Sequence, residues 1–319
     1  MPDRSPQLSV VIATPDGFET IRKTVHHLRV QTVSDRLELV IVAPSAERLE
    51  LDPGELSAFC QARVVDVGPT QSIARAHAAG IRRATAPVVV LAEDHSFPEA
   101  GWAEALIRRH VEQWAVVGPV VRNANPDRLL SWADFLLGYG AWMDPAPAGE
   151  VDYLPGHNSS YKRAVLLALD DELEVALEAE FHLHEALRAR GHRLYLEPAA
   201  RTAHVNFGRF SPWVPYLVHA GRVFAAARAR QWSWRRRLIY VGGAPLIPLV
   251  RLLRVRDEIR RPGRPAHLWP RVAPALIVGL CLDTLGQLLG YACGAGRAGE
   301  KLYDFEFHRD RHGGRRRAG

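Results

Sequence analysis

Cysteine is scarce in this chain: Cys60, Cys281 and Cys293 are the only three in 319 residues. An odd, widely spread set excludes a fully paired disulfide framework. The spacings fit neither a zinc site nor a redox pair, and a reducing compartment suits such usage. No secretory leader core is expected either. Met1 to Gln7 is polar, and the apolar run after it stops at Ala13. That is too short for a leader and the right length for a first strand. Acidic residues nearly vanish from one stretch. Between Arg228 and Arg264, eleven arginines stand against only Asp257 and Glu258, while the whole chain has a net charge of +6. Basic patches select phosphate-bearing partners. These arginines flank apolar runs, so a membrane surface is expected and no nucleic acid. With 47% hydrophobic residues, there is material for one large core with an appendage.

The most informative segment that is present is Val88-Val89-Val90-Leu91-Ala92-Glu93-Asp94-His95. A β-branched apolar run reads as a strand buried on both faces, in the middle of a parallel sheet. Ligands of open α/β sheets bind beyond the carboxyl ends of the strands. Two acids and a histidine at that point mark a site rather than a solvated turn.

Around this strand the first 125 residues alternate strand and helix signals. Strands are predicted over Leu8 to Ala13, Leu37 to Ala43, Arg63 to Val67, Val88 to Ala92 and Ala115 to Val121. Helices are predicted over Gly17 to Gln31, Gln71 to Ala84 and Gly101 to Trp114. The alternation predicts an α/β fold, a mostly parallel sheet flanked by helices. Arg128 to Met143 is helical and aromatic, as core or as a pocket wall. Glu172 to Arg190 reads as one long helix closed by Gly191, and His192 to Leu196 as a short strand. Two apolar stretches follow, Leu238 to Leu253 and Val272 to Gly296. The first is broken by glycines and prolines, and the second carries Asp283. A carboxylate at mid-span costs about 2.5–3.5 kcal/mol on insertion scales. The segments either lie at the interface or cross the bilayer. Three regions are expected: residues 1–210 as the α/β domain, 211–308 as a helical, apolar, membrane-associating appendage, and 309–319 as a basic, disordered tail.

Four motifs in order, spanning about Leu8 to Phe207, resemble family 2 glycosyltransferases of the GT-A fold, of the bacterial, membrane-associated type. Ser9 to Asp16 is similar to the family's opening strand and nucleotide loop. Ser72 to Gly80, with Ile81 and Ala84, resembles the helix before the metal strand. Glu93-Asp94-His95, followed by Pro98, Gly101 and Trp102, stands where the family has Asp-x-Asp, Pro and Gly-Trp. Gly156-His157-Asn158-Ser159-Ser160-Tyr161-Lys162-Arg163 resembles the Gly-x-Asn-x-x-Tyr-Arg-Arg stretch near the acceptor.

The resemblance implies an inverting transfer of a single sugar from a nucleotide-sugar donor, with Mg²⁺ or Mn²⁺ neutralising the diphosphate. The acceptor hydroxyl would lie on a lipid-linked or cell-envelope saccharide, at the cytoplasmic face of the membrane. Thr14, Pro15, Asp16, Asp94 and Asn158 are expected at the nucleotide, and Glu93, His95 and His204 at the metal. Which of Glu93, Asp94 and His95 binds the ion stays open. Counting back from Gly191, Glu180 takes the position of the catalytic base, with His184 one turn on as a group that could orient it. The backbone of the His157 loop could meet an anion.

There are departures as well. The second strand ends Val42-Ala43-Pro44-Ser45 without the family's acid-rich turn, and Asp16 replaces asparagine. A UDP, GDP or dTDP sugar remains open as donor. The Gln-x-x-Arg-Trp motif of processive synthases is absent. With glutamate and histidine in place of two aspartates, an inactive GT-A-like nucleotide-binding scaffold is the alternative. A nucleotidyltransferase is disfavoured because no glycine-rich, lysine-containing loop is present.

Overall fold

The computed structural model describes residues 5–69, 72–178, 180–230, 232–307 and 309, with the backbone alone at Pro53 and Glu180. The chain divides into two compact units. One comprises residues 1–122 and 146–204, and the other 123–145 and 205–319.

The first unit is built on a sheet of β1 (Leu8–Ala13), β2 (Leu37–Ala43), β3 (Gln61–Asp66), β4 (Val88–Ala92), β5 (Ser96–Pro98), β6 (Val116–Asn123), β7 (Gly149–Val151), β8 (Ser160–Lys162) and β9 (Leu194–His204). The order is β3-β2-β1-β4-β8-β6-β9-β5, with β7 on β9. The predicted parallel arrangement is found in β3-β2-β1-β4. The pairs β4–β8, β6–β8, β5–β9 and β7–β9 are antiparallel, so the sheet is mixed. β1, β2 and β4 are buried along their whole length, as strands covered on both faces must be.

Helices α1 (Phe18–Arg29), α2 (Ile73–Arg83) and α3 (Trp102–Arg109) supply the covers. Phe18, Ile21 and Val25 of α1 and Trp102 and Leu106 of α3 pack with Ile12, Ile41 and Val90 of the sheet. Each such buried side chain contributes about 1.5–3 kcal/mol. α2 starts at Ser72, whose hydroxyl accepts from the Arg75 amide, a regular N-cap.

The structure departs from the sequence expectation in three places. α3 ends at Arg109 rather than Trp114. The expected long helix over 172–190 is broken. α5 (Arg163–Leu167) is followed by α6 (Leu173–Leu177) and α7 (Glu180–Ala189), with a turn at Glu178. Glu174 and Glu178, like charges four apart, oppose one continuous helix. Gly191 still closes α7, at φ +84. The short strand predicted over His192 to Leu196 runs on to His204 as β9. Pro198, which cannot donate to a ladder, falls between the segments paired with β7 and β5.

The second unit is helical: α4 (Leu129–Tyr139), α8 (Phe210–Arg228), α9 (Trp234–Gly243), α10 (Ile247–Ile259), α11 (Trp269–Cys293) and α12 (Ala298–Phe307). α8 and α11 approach closely because glycines meet there. A Cβ on Gly286 would overlap the Val218 carbonyl, and one on Gly290 the Arg222 carbonyl. Gly286-x-x-x-Gly290 is the small-residue spacing that lets apolar helices touch backbone to backbone. Residues 234–259 and 266–293 are long and apolar enough, by length and composition, to cross a membrane. Asp283 does not stand alone in α11: Arg251 and Gln287 both donate to its Oδ2. Of the arginine-rich segment, Arg264 is turned inward and donates to the carbonyls of Gly140, Met143 and Pro145. The basic tail expected over 309–319 lies outside the described residues except for Arg309, which is buried.

Gly80 tests the packing of α2. A Cβ there would overlap Val11 Cγ1 and lie 3.0 Å from Val42 Cγ2. Gly80→Ala should therefore destabilise the protein by about 1–3 kcal/mol, despite alanine's better helix propensity. Urea unfolding of the two proteins measures the difference.

Candidate metal and nucleotide site

Parallel β1 and β4 end at the same edge of the sheet, with Leu8 paired to Val88 and Ile12 to Ala92. Two expected segments therefore leave the sheet together: Thr14 to Asp16 from β1, and Glu93 to His95 from β4. Thr14 is buried. Its hydroxyl donates to the Gly17 carbonyl at 2.8 Å and its amide to the Val42 carbonyl at 2.9 Å. Pro15 is half-buried and Asp16 exposed.

The turn after β4 is fixed from two sides. Thr24 of α1 donates its hydroxyl to the carbonyls of Glu93 and Asp94, each at 3.0 Å. The Asn158 amide N–H donates to the Leu91 carbonyl at 2.7 Å. Antiparallel pairing of β5 with β9 places Ser96 opposite His204. The histidine at the end of one strand is thereby brought beside the acids at the end of another.

The structure brings together the three side chains expected at a metal. Donor atoms of Glu93, His95 and His204 lie within 4.8 Å of one another. His95 Nε2 is 3.3 Å and His204 Nε2 3.7 Å from Glu93 Oε2. Asp94 plays a different part: its Oδ1 lies 2.6 Å from His95 Nδ1. A carboxylate there accepts from Nδ1–H and directs Nε2 at Glu93, the outer-shell arrangement of metal-binding histidines.

Glu93 Oε2 is buried and accepts no hydrogen bond among the described residues. An acceptor left this way beside two imidazole nitrogens has the chemistry of a cation site. Burial works against ionisation of Glu93. The imidazoles of His157, His95 and His204 nevertheless hold its carboxyl well below the usual carboxylate range.

Two histidines join this group that the sequence did not place there. His157 Nδ1 is 3.3 Å from Glu93 Oε1, and its ring lies 5.0 Å from that of His204. His77 of α2 hydrogen-bonds the Ala92 backbone, and burial lowers its pKa to about 4 against the pull of Glu93. Neither has a sequence signal, because both depend on which segments flank β4.

Asn158, expected at the nucleotide, is fully buried. Its amide Nδ2 donates to Ser96 Oγ at 2.6 Å and Thr202 Oγ1 at 2.9 Å. Glu180 is the first residue of α7, and its side chain lies outside the described residues. His184 is buried, and its Nε2 hydrogen-bonds the Tyr161 hydroxyl at 3.1 Å.

No protein-family profile matches the chain, and no curated protein matches it in sequence. Solved structures do resemble it. A mannosyltransferase from Pyrobaculum calidifontis, in complex with GDP-Man and Mn²⁺, aligns over 92% of this chain and 88% of its own, with 15% identity and a TM-score of 0.51. GalNAc-T7, with UDP, GalNAc and Mn²⁺, aligns over 63% of this chain with 14% identity and a TM-score of 0.43. The alignment spans only 44% of the GalNAc-T7 chain. S. aureus TarS aligns over 89% of this chain and 55% of its own, at 13% identity and a TM-score of 0.44. The mannosyltransferase likeness assigns the fold: this is a GT-A-like α/β protein.

Burial lowers the pKa of both His110 and His184 to about 4. Between pH 6.5 and 4 the unfolded chain takes up protons at these positions and the native chain does not. Stability is therefore full above 6.5 and falls on acidification, by about 1.4 kcal/mol per pH unit per histidine at most. His184→Gln, which can still accept from Tyr161, should lose about 1–2 kcal/mol less than wild type between pH 7 and 5. Urea unfolding at the two pH values measures this.

Proposed function

We propose that the chain is an inverting glycosyltransferase of the family 2 type. It moves a single sugar from a nucleoside-diphosphate donor to an acceptor hydroxyl on a lipid-linked or cell-envelope saccharide. One observation carries the reading: Glu93, His95 and His204 converge at the carboxyl edge of β4 in a GT-A-like sheet. Glu93, His95 and His204 would hold a divalent cation, and two imidazole nitrogens in the set favour Mn²⁺ over Mg²⁺. Bound there, the ion supplies charge neutralisation to the donor diphosphate.

The chain's own residues have separate tasks. Asp94 holds His95 in one tautomer and orientation. The Thr14–Asp16 turn leaves the same sheet edge and receives the nucleotide. Glu180 takes the proton of the acceptor hydroxyl as its oxygen bonds to the anomeric carbon and the bond to the diphosphate breaks. One displacement with one base inverts configuration. Residues 1–210 carry this chemistry.

Residues 211–308 associate with the cytoplasmic face of the membrane. Trp234, Leu238, Ile239, Leu246 and Leu249 support this by exposing large apolar side chains beside the arginines of the same segment.

Mn²⁺ binding, followed by electron paramagnetic resonance, should fall at least tenfold in Glu93→Gln. Asp94→Asn should cost about 10–100-fold through loss of His95 orientation. If Asp94→Asn binds Mn²⁺ as wild type does, its positioning role is wrong. A panel of nucleotide-sugars, assayed with Mn²⁺ and membranes, should give turnover of one donor. Glu180→Gln should abolish that transfer while donor affinity stays within about threefold. Tight nucleotide binding without turnover of any donor would favour the scaffold alternative.

A further inference from the structure

His204, one of the three residues proposed above to hold the cation, is the last residue of β9, and its pairing with Ser96 closes the β5–β9 ladder. The end of a strand is where local opening costs least. A ligand placed there needs a hold on the chain beyond it, and the next residues have one. Asn206 and Phe207 are both 0% exposed. The Asn206 backbone N–H donates to Asn125 Oδ1 at 2.8 Å, and the Asn206 carbonyl accepts from Asn125 Nδ2 at 2.8 Å. One planar side chain thus exchanges two hydrogen bonds with one backbone residue. That is the exchange made by a hydrogen-bonded pair in an antiparallel ladder, continued past the end of β9 by a side chain.

Asparagine is suited to this task. Its amide has an acceptor at one end and donors at the other, whereas an ionised aspartate offers acceptors only. The two backbone partners fix which end is which, because an N–H requires the oxygen and a carbonyl requires the nitrogen. Asn125 is itself held. Asn123 Oδ1 accepts from the Asn125 N–H at 3.1 Å, from the Ser131 hydroxyl at 2.9 Å and from Asn206 Nδ2 at 3.0 Å. Pro126 steers the Asn125 backbone away from the helical region. One residue further on, Asp134 Oδ2 accepts from the Phe207 N–H at 2.9 Å, and its Oδ1 accepts from Trp213 Nε1 at 2.8 Å. Removing one member of such a buried network leaves its partners unsatisfied, so its members hold one another in place.

We propose that Asn125 is a positioning residue for His204. By pairing with the Asn206 backbone, it fixes the chain two residues beyond the imidazole and so sets where that ring can stand. The role of His204 as a ligand rests on the cation reading above. The hold of Asn125 on the ring does not, and the two are measured separately.

The full-length protein in a mild non-ionic detergent, carrying isotopically labelled histidine, is compared as wild type, Asn125→Ala, Asn125→Asp and Tyr291→Leu. Tyr291→Leu loosens the aromatic packing on Trp232 and Tyr240 and leaves the Asn125 pairing intact. Without metal, the His204 imidazole resonances, assigned with His204→Gln, should be single and sharp in wild type and Tyr291→Leu. In Asn125→Ala they should broaden or double. Titrated with Mn²⁺ under electron paramagnetic resonance, Asn125→Ala should bind about tenfold more weakly than wild type. Asn125→Asp, which keeps the acceptor and loses the donor, should fall between them, and Tyr291→Leu should match wild type. Wild-type affinity in Asn125→Ala overturns the proposal. An equal loss in Tyr291→Leu also overturns it, because general destabilisation then accounts for the effect. Should Asn125→Ala fail to fold, Asn125→Asp carries both measurements, and wild-type behaviour there overturns the proposal. If the wild type itself binds no Mn²⁺, the cation reading falls. The imidazole resonances then decide alone, and unchanged resonances in the Asn125 variants overturn the hold on His204.

Discussion

The site depends on one buried side chain. Asn158 donates through its backbone to the end of β4, and through its amide to Ser96 at the start of β5 and Thr202 near the end of β9. Ser96 and Thr202 also hydrogen-bond each other at 3.0 Å. Three chain segments that are remote in sequence meet at this one residue, and each carries a histidine of the cluster: His95, His157 and His204. Asn158 adopts φ +56, a left-handed conformation that asparagine tolerates better than most residues. A larger residue would strain the backbone, and an apolar one would leave two buried hydroxyls with only each other. A Gly-x-Asn motif that resembles a ligand-binding element in sequence here holds Glu93, His95 and His204 in register.

This frame bears on the resemblance in sequence, which has two aspartates where Glu93 and His95 stand. A pair of aspartates brings two negative charges to a cation. Glu93 with His95 brings one charge and one neutral nitrogen, and His204 adds a second nitrogen from β9. The set is less anionic and softer than an all-carboxylate one, which moves preference from magnesium toward transition ions. Asp94 still contributes charge, but through the His95 ring. The carboxylate that stays closest to the ligand position is Glu93, and the surrounding imidazoles keep it ionised despite burial.

What was legible in the sequence was whatever depends on local pattern. β1, β2 and β4 fall where their apolar runs lie, because a strand buried on both faces must be apolar throughout. That β1 and β4 end at one edge followed from polarity alone, since parallel strands end together. His204 was legible only loosely, as a histidine late in the domain. Its position opposite Ser96 is a matter of register that no local signal encodes. His77 and His157 were not legible as members of the cluster, because α2 and the Gly-x-Asn loop reach Glu93 only through the fold. The break between α6 and α7 was hidden too. Helical periodicity continues across it, and repulsion between like charges four apart is a weak local signal.

Charge in the helical unit shows why counting residues was not enough there. Eleven arginines in one segment look like a single electrostatic feature, yet the fold uses them in different ways. Arg264 is consumed by backbone carbonyls, and Arg251 neutralises the carboxylate that made α11 look unfit for an apolar environment. With Asp283 compensated, the close glycine contact between α8 and α11 accommodates a hydrogen-bonded polar group. Arg228 and Arg254, which line a cavity of the helical unit, and Arg235 and Arg236 beside Trp234 and Trp232, form no ion pair among the described residues. Net charge alone predicts a phosphate-bearing partner. Only the pairing of each guanidinium separates the arginines that hold the unit together from those able to bind that partner.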